Sequence, residues 1–364
     1  MSATAQNDRV NNVTLEDILT TTVDTVSRSS EIEKWARYNP KRWTGRFKQW
    51  NLFTDQATSG TSFKNTEEFD TGIDYSTVPA VLYPTGYAQP VGVSIVERSL
   101  NATPSGKIDM YRNAYEYAQN SMIGALGTMD YGFGLGNDQD GLGNIIDDGT
   151  STSSIYGLSR TTHGSKINAG GSTGIIAATG GVIDLDTLDA ADDAASVSGD
   201  NSESPNVILT DKTTWSLMAS LGNPTLTATY NALGGKFATG KDGRGGAVNM
   251  AGGINVQAGA TNFEYRNKVV IRDEKCTVGN AYLVNKKYYG YDSLKLIGLD
   301  TIGITQETVE GANDNMVSVG TAFQYRKPMM AFNNLSELGI FVVYGNMYHR
   351  NPNRNELITG ITTT

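Results

Sequence analysis

The stretch Gly136–Arg160, GNDQDGLGNIIDDGTSTSSIYGLSR, concentrates Asp, Asn and Gly, the residue types that build cation and phosphate loops. A helix–loop–helix calcium site needs oxygen ligands at positions 1, 3 and 5, Gly at 6 and a bidentate Glu at 12. With Gly141 at position 6, Asp138 and Asp140 fit, but Gly136 falls at 1 and Asp147 at 12. The dinucleotide pattern G-x-G-x-x-G fails as well, because Asn137 stands where a third Gly should follow Gly132 and Gly134. The stretch therefore reads as a flexible polar turn joining two structural pieces.

Other candidates for chemistry fare no better. GKFATGKD, Gly235 to Asp242, departs from a phosphate-binding loop at its last residue. A Ser or Thr must follow the Lys to hold magnesium, whereas Asp242 would face the phosphates with a carboxylate. Cys276 lies at an apparent strand end with no histidine paired to it by sequence, which predicts a structural thiol. The adjacent acids Asp147–Asp148 and Glu67–Glu68 would point to opposite faces of a strand. His163 and His349 are too far apart to suggest a zinc site. No catalytic, cofactor-binding or metal-ligating residue is predicted.

The elements that would position any site come next. A chain of 364 residues suggests about two domains. Its 41 glycines against 9 prolines fit a folded chain rich in strands and turns. One cysteine excludes an internal disulfide and fits a reducing compartment. The polar start carries no signal-peptide pattern, and no apolar run reaches the ~20 residues that a membrane helix needs. The charge of -9 is concentrated between Ile167 and Asp211, in Asp184, Asp186, Asp189, Asp192, Asp193, Asp200, Glu203 and Asp211. Arg28–Trp50 is basic, with Glu31 and Glu33 as its only acids. Opposite patches of this kind suit a chain that packs against its own copies.

Within the basic segment, Trp35, Trp43 and Trp50 alternate with Arg37 and Arg46. Such interleaving serves single-stranded nucleic acid or a protein interface, and on an acidic chain the interface is preferred. Residues 51–105 read as two polar strands, TSFKNTEEFDTGIDYS and YAQPVGVSIVERSLN, joined by VPAVLYPTG. With few large apolar residues they predict a projecting hairpin. Ile108, Tyr111, Tyr115, Ala118, Met122, Ala125 or Leu126, and Met129 recur at helical steps, so 106–130 is predicted as a long helix. Beyond it lie an acidic helix in IDLDTLDAADDAAS, a strand Asn206–Leu209 with Thr210 or Asp211 capping the next helix, and a short helix Thr225–Leu233. Two alternating strands joined by EGANDN follow, then the apolar strand LGIFVVYG and a polar tail.

In this order, arm, hairpin, helix, Gly/Asp connector, mixed domain and long strands, the chain resembles the Hong Kong 97-type major capsid proteins of tailed bacteriophages. Encapsulin shells share that fold. DGLGNIIDDG followed by IYGLSR resembles the family's connector, and PNVILTDKTTWSLM and YRNKVVIRDEKCTVGNAYLVN resemble its axial-domain strands and helix. The resemblance implies an α+β fold with an N-terminal arm over 1–50 and an extended loop over 51–105. It implies a peripheral domain with the spine helix over 106–150, an axial domain over 151–297, peripheral strands over 298–334, and a return strand and tail over 335–364. It further implies a structural, non-enzymatic protein that forms hexamers and pentamers of a virion shell, assembled in the host cytoplasm, without membrane contact. The shell would enclose DNA without sequence-specific binding, with scaffolding, portal and decoration proteins as partners.

The expected subunit-contact residues are Trp35, Arg37, Trp43, Arg46, Trp50, Phe63, Lys64, Phe69, Tyr75 and Arg98. Gly141, Gly143, Tyr156, Gly157 and Arg160 would form a hinge-like joint between spine helix and axial domain. Cutting residues 1–50 is expected to leave a soluble subunit unable to close shells. The alternatives are an encapsulin-like compartment and a tail or surface-layer protein.

Overall fold

The computed structural model describes residues 30–37, 40–53, 62–65, 77–96, 99, 110–171, 173–197, 201–221, 254–255, 263–297, 299–301, 322–330 and 336–362. Several expectations lie outside these residues: the helix at 225–233, the loop Gly235–Asp242, the Glu67–Glu68 pair, the turn EGANDN, and the contact residues Phe69, Tyr75 and Arg98.

Two sheets organise the chain. The first runs β1 (Lys41–Arg42), β13 (Tyr289–Ser293), β16 (Ser336–His349), β15 (Phe323–Met330) and β14 (Asp300–Thr301), with β4 (Thr85–Ser94) also paired to β16. The β4–β16 ladder is antiparallel over ten residues, from Ser94 opposite Ser336 to Thr85 opposite Gly345. The second sheet has the order β7 (Ile176–Ala177), β17 (Glu356–Thr359), β12 (Ala281–Val284), β8 (Val207–Thr210), β11 (Lys268–Arg272), β10 (Phe263–Tyr265) and β9 (Ile254–Asn255). Every residue of β8 and β12 is buried. Their alternate side chains feed two cores: Val207, Leu209, Tyr282 and Val284 enter one, and Ile208, Ala281 and Leu283 the other. Burial on both faces explains why these strands read as continuous apolar runs.

The predicted long helix is α2, Met110–Met129, about 30 Å long at 1.5 Å per residue. Ala118, Met122 and Leu126, four residues apart, form its buried face. The acidic helix is α5 (Leu185–Ala195), with the Asp184 carboxylate accepting from Thr187 N at 2.7 Å. Asp211 caps the helix at 212–221 by accepting from Thr213 N at 2.8 Å. Cys276 is buried as expected, and burial pushes its thiol up.

One expectation is corrected. VPAVLYPTG is not a connection: Thr77–Leu82 is strand β3, paired antiparallel with β2 (Lys48–Phe53), and only Tyr83 and Pro84 lie between β3 and β4. Both sheets draw on distant parts of the chain: β13 pairs with β16 in the first, and β17 with β12 in the second. The polar tail is structural, with Asn355 and Glu356 wholly buried. The acidic block is also largely engaged within the chain. Asp192 pairs with Lys268 at 2.7 Å, Asp189 with Arg266 at 2.9 Å, and Glu203 with Lys287 at 2.6 Å.

Candidate functional site

The arm is held on the fold by a distant carboxylate. Helix α1 (Glu31–Ala36) starts at Ser30, whose hydroxyl and the Glu31 amide both donate to Asp273 Oδ2, at 3.1 and 2.7 Å. Seven residues after Ser30, Arg37 is fully buried. Its guanidinium donates to both Asp130 oxygens at 2.8 and 2.6 Å and to Gln139 Oε1 at 2.7 Å. Gln139 Nε2 in turn donates to the Tyr291 hydroxyl at 3.1 Å, and burial pushes Tyr291 up to about 12. One ionic cluster thus ties the arm, the end of the spine helix, the connector and β13.

Arg37 and Trp43 were expected on a neighbouring subunit, and this is corrected. Trp43 is 2% exposed, with Nε1 donating to Gly45 O at 3.2 Å, and both residues belong to this chain's interior. A cut at residue 50 removes Ile32, Ala36, Arg37, Trp43 and strand β1 from the packed structure. An insoluble product, rather than a soluble subunit, is therefore the expected outcome, read as loss of the chain from the soluble fraction after expression.

The connector is tightly packed. Gly141 to Asp147 is buried throughout. A Cβ on Gly141 would lie 2.3 Å from Met129 O and 2.6 Å from Gly132 O, and one on Gly143 would lie 2.8 Å from Tyr131 O. These glycines allow backbone to touch backbone, locked by Leu142 N donating to Asp130 O at 2.6 Å. Gly141→Ala is expected to cost about 3 kcal/mol in a denaturant titration.

Arg160 clamps the same loop. It is 3% exposed and donates to Asp147 O at 2.8 Å, Ile167 O at 3.0 Å and Asn168 Oδ1 at 3.2 Å, and to Asn144 O. Burial lowers its pKa, opposed by the nearby Asp147 carboxylate. Asp147 itself accepts from the amides of Gly149 and Thr152 at 3.1 and 2.9 Å, closing the loop beneath the clamp.

Tyr156 links this joint to the hairpin. Its φ of 53° lies in the left-handed region and Gly157 follows at 76°, which sets the turn between β5 (Ser154–Ile155) and β6 (Leu158–Ser159). The Tyr156 carbonyl accepts from Val81 N at 2.9 Å and its hydroxyl from His349 N at 2.9 Å. Trp50 packs on its ring with centroids 4.9 Å apart. A single residue therefore touches the hairpin base, the joint and the return strand. His349 is also buried, which holds its pKa near 4, below the ordinary 6.5. A depressed value means stability present above pH 6.5 and lost as pH falls through 4. Roughly 3 kcal/mol is expected to disappear over that window, read from denaturation midpoints of His349→Gln and the parent.

Among the other expected contact residues, Trp35 is partly buried, edge-on to Tyr289 at 6.3 Å with Lys286 Nζ 4.5 Å above it. Arg46, Phe63 and Lys64 are exposed, as is Phe53 at 78% on the same hairpin. The residues missed by sequence reading are Asp130, Gln139, Asn346 and Asp140. Asn346 Nδ2 donates to Tyr83 O at 3.0 Å and to Asp140 Oδ2 at 2.9 Å, and burial raises the Asp140 pKa. Asp130 carried a readable signal. An acid just past a helix C-terminus opposes the dipole, so a facing cation stabilises it.

No protein-family model matches the sequence, and no curated protein matches it. The capsid asymmetric unit of cyanophage A-1(L) is similar in structure at a TM-score of 0.66 and 15% identity, over 98% of this chain and 99% of that one. A capsid chain of a native GTA particle matches at 0.57 and 9% identity, over 95% of both chains. The SrpI encapsulin of Synechococcus elongatus matches at 0.53 and 11%, over 97% of this chain and 95% of the encapsulin. These likenesses run across nearly the whole length of the chain, so this chain has the Hong Kong 97-type fold of phage capsid and encapsulin shells.

Proposed function

We propose that this chain is the major capsid protein of a tailed bacteriophage, a structural subunit that assembles into an icosahedral shell around double-stranded DNA. The end-to-end likeness to capsid subunits carries the reading. The exposed hairpin side chains Phe53, at 78%, and Phe63, at 64%, are available to be covered by a neighbour. In this reading Arg46, Phe53, Phe63 and Lys64 meet a neighbouring subunit, and the buried joint fixes the angle between the two sheets. Scaffolding, portal and decoration proteins are the expected further partners. DNA is held by enclosure, since the chain is acidic overall.

Negative-stain electron microscopy of the protein expressed alone and with a co-expressed scaffold tests the proposal. Closed particles of uniform diameter are expected, and tubes or a small oligomer under every condition would overturn it. The encapsulin likeness supports a second reading, a cellular compartment. Particles that close without scaffold and recruit a protein cargo in place of DNA would favour it.

A further inference from the structure

Glu356 is the first residue of β17, wholly buried, and none of the ion pairs resolved among the described residues includes it. Its Oε1 accepts from Leu357 N at 3.1 Å, while Oε2 is buried without a hydrogen-bond partner. That oxygen fills a cradle left by Gly170. A Cβ there would lie 2.0 Å from Oε2, and φ of +54° already favours glycine. The carboxyl is surrounded by β12, where Leu283 is the register partner of Glu356, by helix α5, whose Ala194 Cβ borders the same cradle, and by Gly170 and Asp148. The charges of α5 face the other way: Asp189, Asp192 and Asp193 pair with Arg266 and Lys268. Arg160 is spent on the carbonyls of Asn144, Asp147 and Ile167. Asp148 is the charge that acts on the carboxyl, and it is negative.

A buried carboxylate facing another acid, with one oxygen unpaired, is tolerated only while it carries a proton. We propose that Glu356 is a proton-held latch that keeps β17 in the axial sheet and opens it when the medium turns alkaline. Burial, followed by the Asp148 charge, pushes Glu356 up to about 8. A raised value gives stability that is complete below about 4.5 and lost as pH rises through 8. Strand β17 is the element at stake, because it bridges β12 and β7. Its release would uncover Ile358, which is fully buried. This latch stands whether or not the chain forms shells.

Hydrogen exchange of the full chain from pH 6 to 9, corrected for the intrinsic rate, tests it. Amides of 356–359 and 176–177 are read against those of β11. With a carboxyl at about 8 closed and 4.5 open, the opening constant of β17 is expected to rise roughly a hundredfold, and β11 to stay level. Glu356→Gln, a permanent mimic of the protonated form, should remove the rise. An equal rise in the variant, or no rise in the parent chain, would overturn the latch. If the variant does not fold, the parent alone decides: an opening that spreads equally to β11 would also overturn it.

Discussion

Replacing Arg37 by Met is expected to destabilise the unassembled subunit by about 3–5 kcal/mol, measured as the shift in a denaturant midpoint at unchanged slope. The side chain is 0% exposed, as is that of Asp130. Removing the cation leaves a carboxylate inside the protein whose two oxygens both took their hydrogen bonds from Arg37. Gln139 loses a donor at the same moment. The double variant Arg37→Met with Asp130→Leu removes both charges and is expected to recover much of the loss, since an apolar pair can replace a buried ion pair at little cost. If the single variant fell within about 1 kcal/mol of the parent, the arm would not be anchored by this cluster.

The consequence for assembly is geometric. Arg37 precedes β1 and β2, and β2 pairs with β3 to form the base of the hairpin. An arm released at Arg37 would set that hairpin at variable angles. Few closed particles and more irregular ones are then expected by electron microscopy, even where the subunit remains folded.

What the sequence made legible follows from how directly a pattern reflects one element's environment. The spine helix was readable because Ala118, Met122 and Leu126 repeat at the helical step on a single buried face. The helices behind Asp184 and Asp211 were readable because an acid capping free amides is a local event. The packing of the connector was not readable because glycine serves two ends. Gly141 and Gly143 suggested freedom, yet their role is close approach to Met129, Tyr131 and Gly132, which are brought there by the fold. The tail reads as polar and yet packs inside, because its polar residues find partners remote in sequence: Asn355 Oδ1 accepts from Asn285 N at 2.9 Å, and His349 Nε2 lies 2.8 Å from Asn285 O. Polarity in the sequence predicts exposure only when no partner waits inside. Trp43 and Arg37 were assigned to a neighbour for the same reason. Interface and core use the same residue types, and only contacts remote in sequence distinguish them.

Arg160→Lys tests whether the joint is a clamp. The guanidinium's fork reaches three backbone carbonyls, of Asn144, Asp147 and Ile167, and the Asn168 side chain. An ammonium keeps the charge but is a point donor that cannot span them. Asp147 would be left less exposed to loss than Asp130 in the arm cluster, because it also accepts from its own loop at Gly149 and Thr152. The cost therefore falls on the orphaned carbonyls, and a loss of about 2–4 kcal/mol is expected. The same substitution separates two mechanisms. A hinge would tolerate Lys, with unchanged stability and normal particles. A clamp would not: amides of 142–152 should lose exchange protection while those of β8 and β12 keep theirs, and particle yield should drop. Unchanged protection in 142–152 would return the joint to a hinge, and the angle between the two sheets would then have to be set elsewhere.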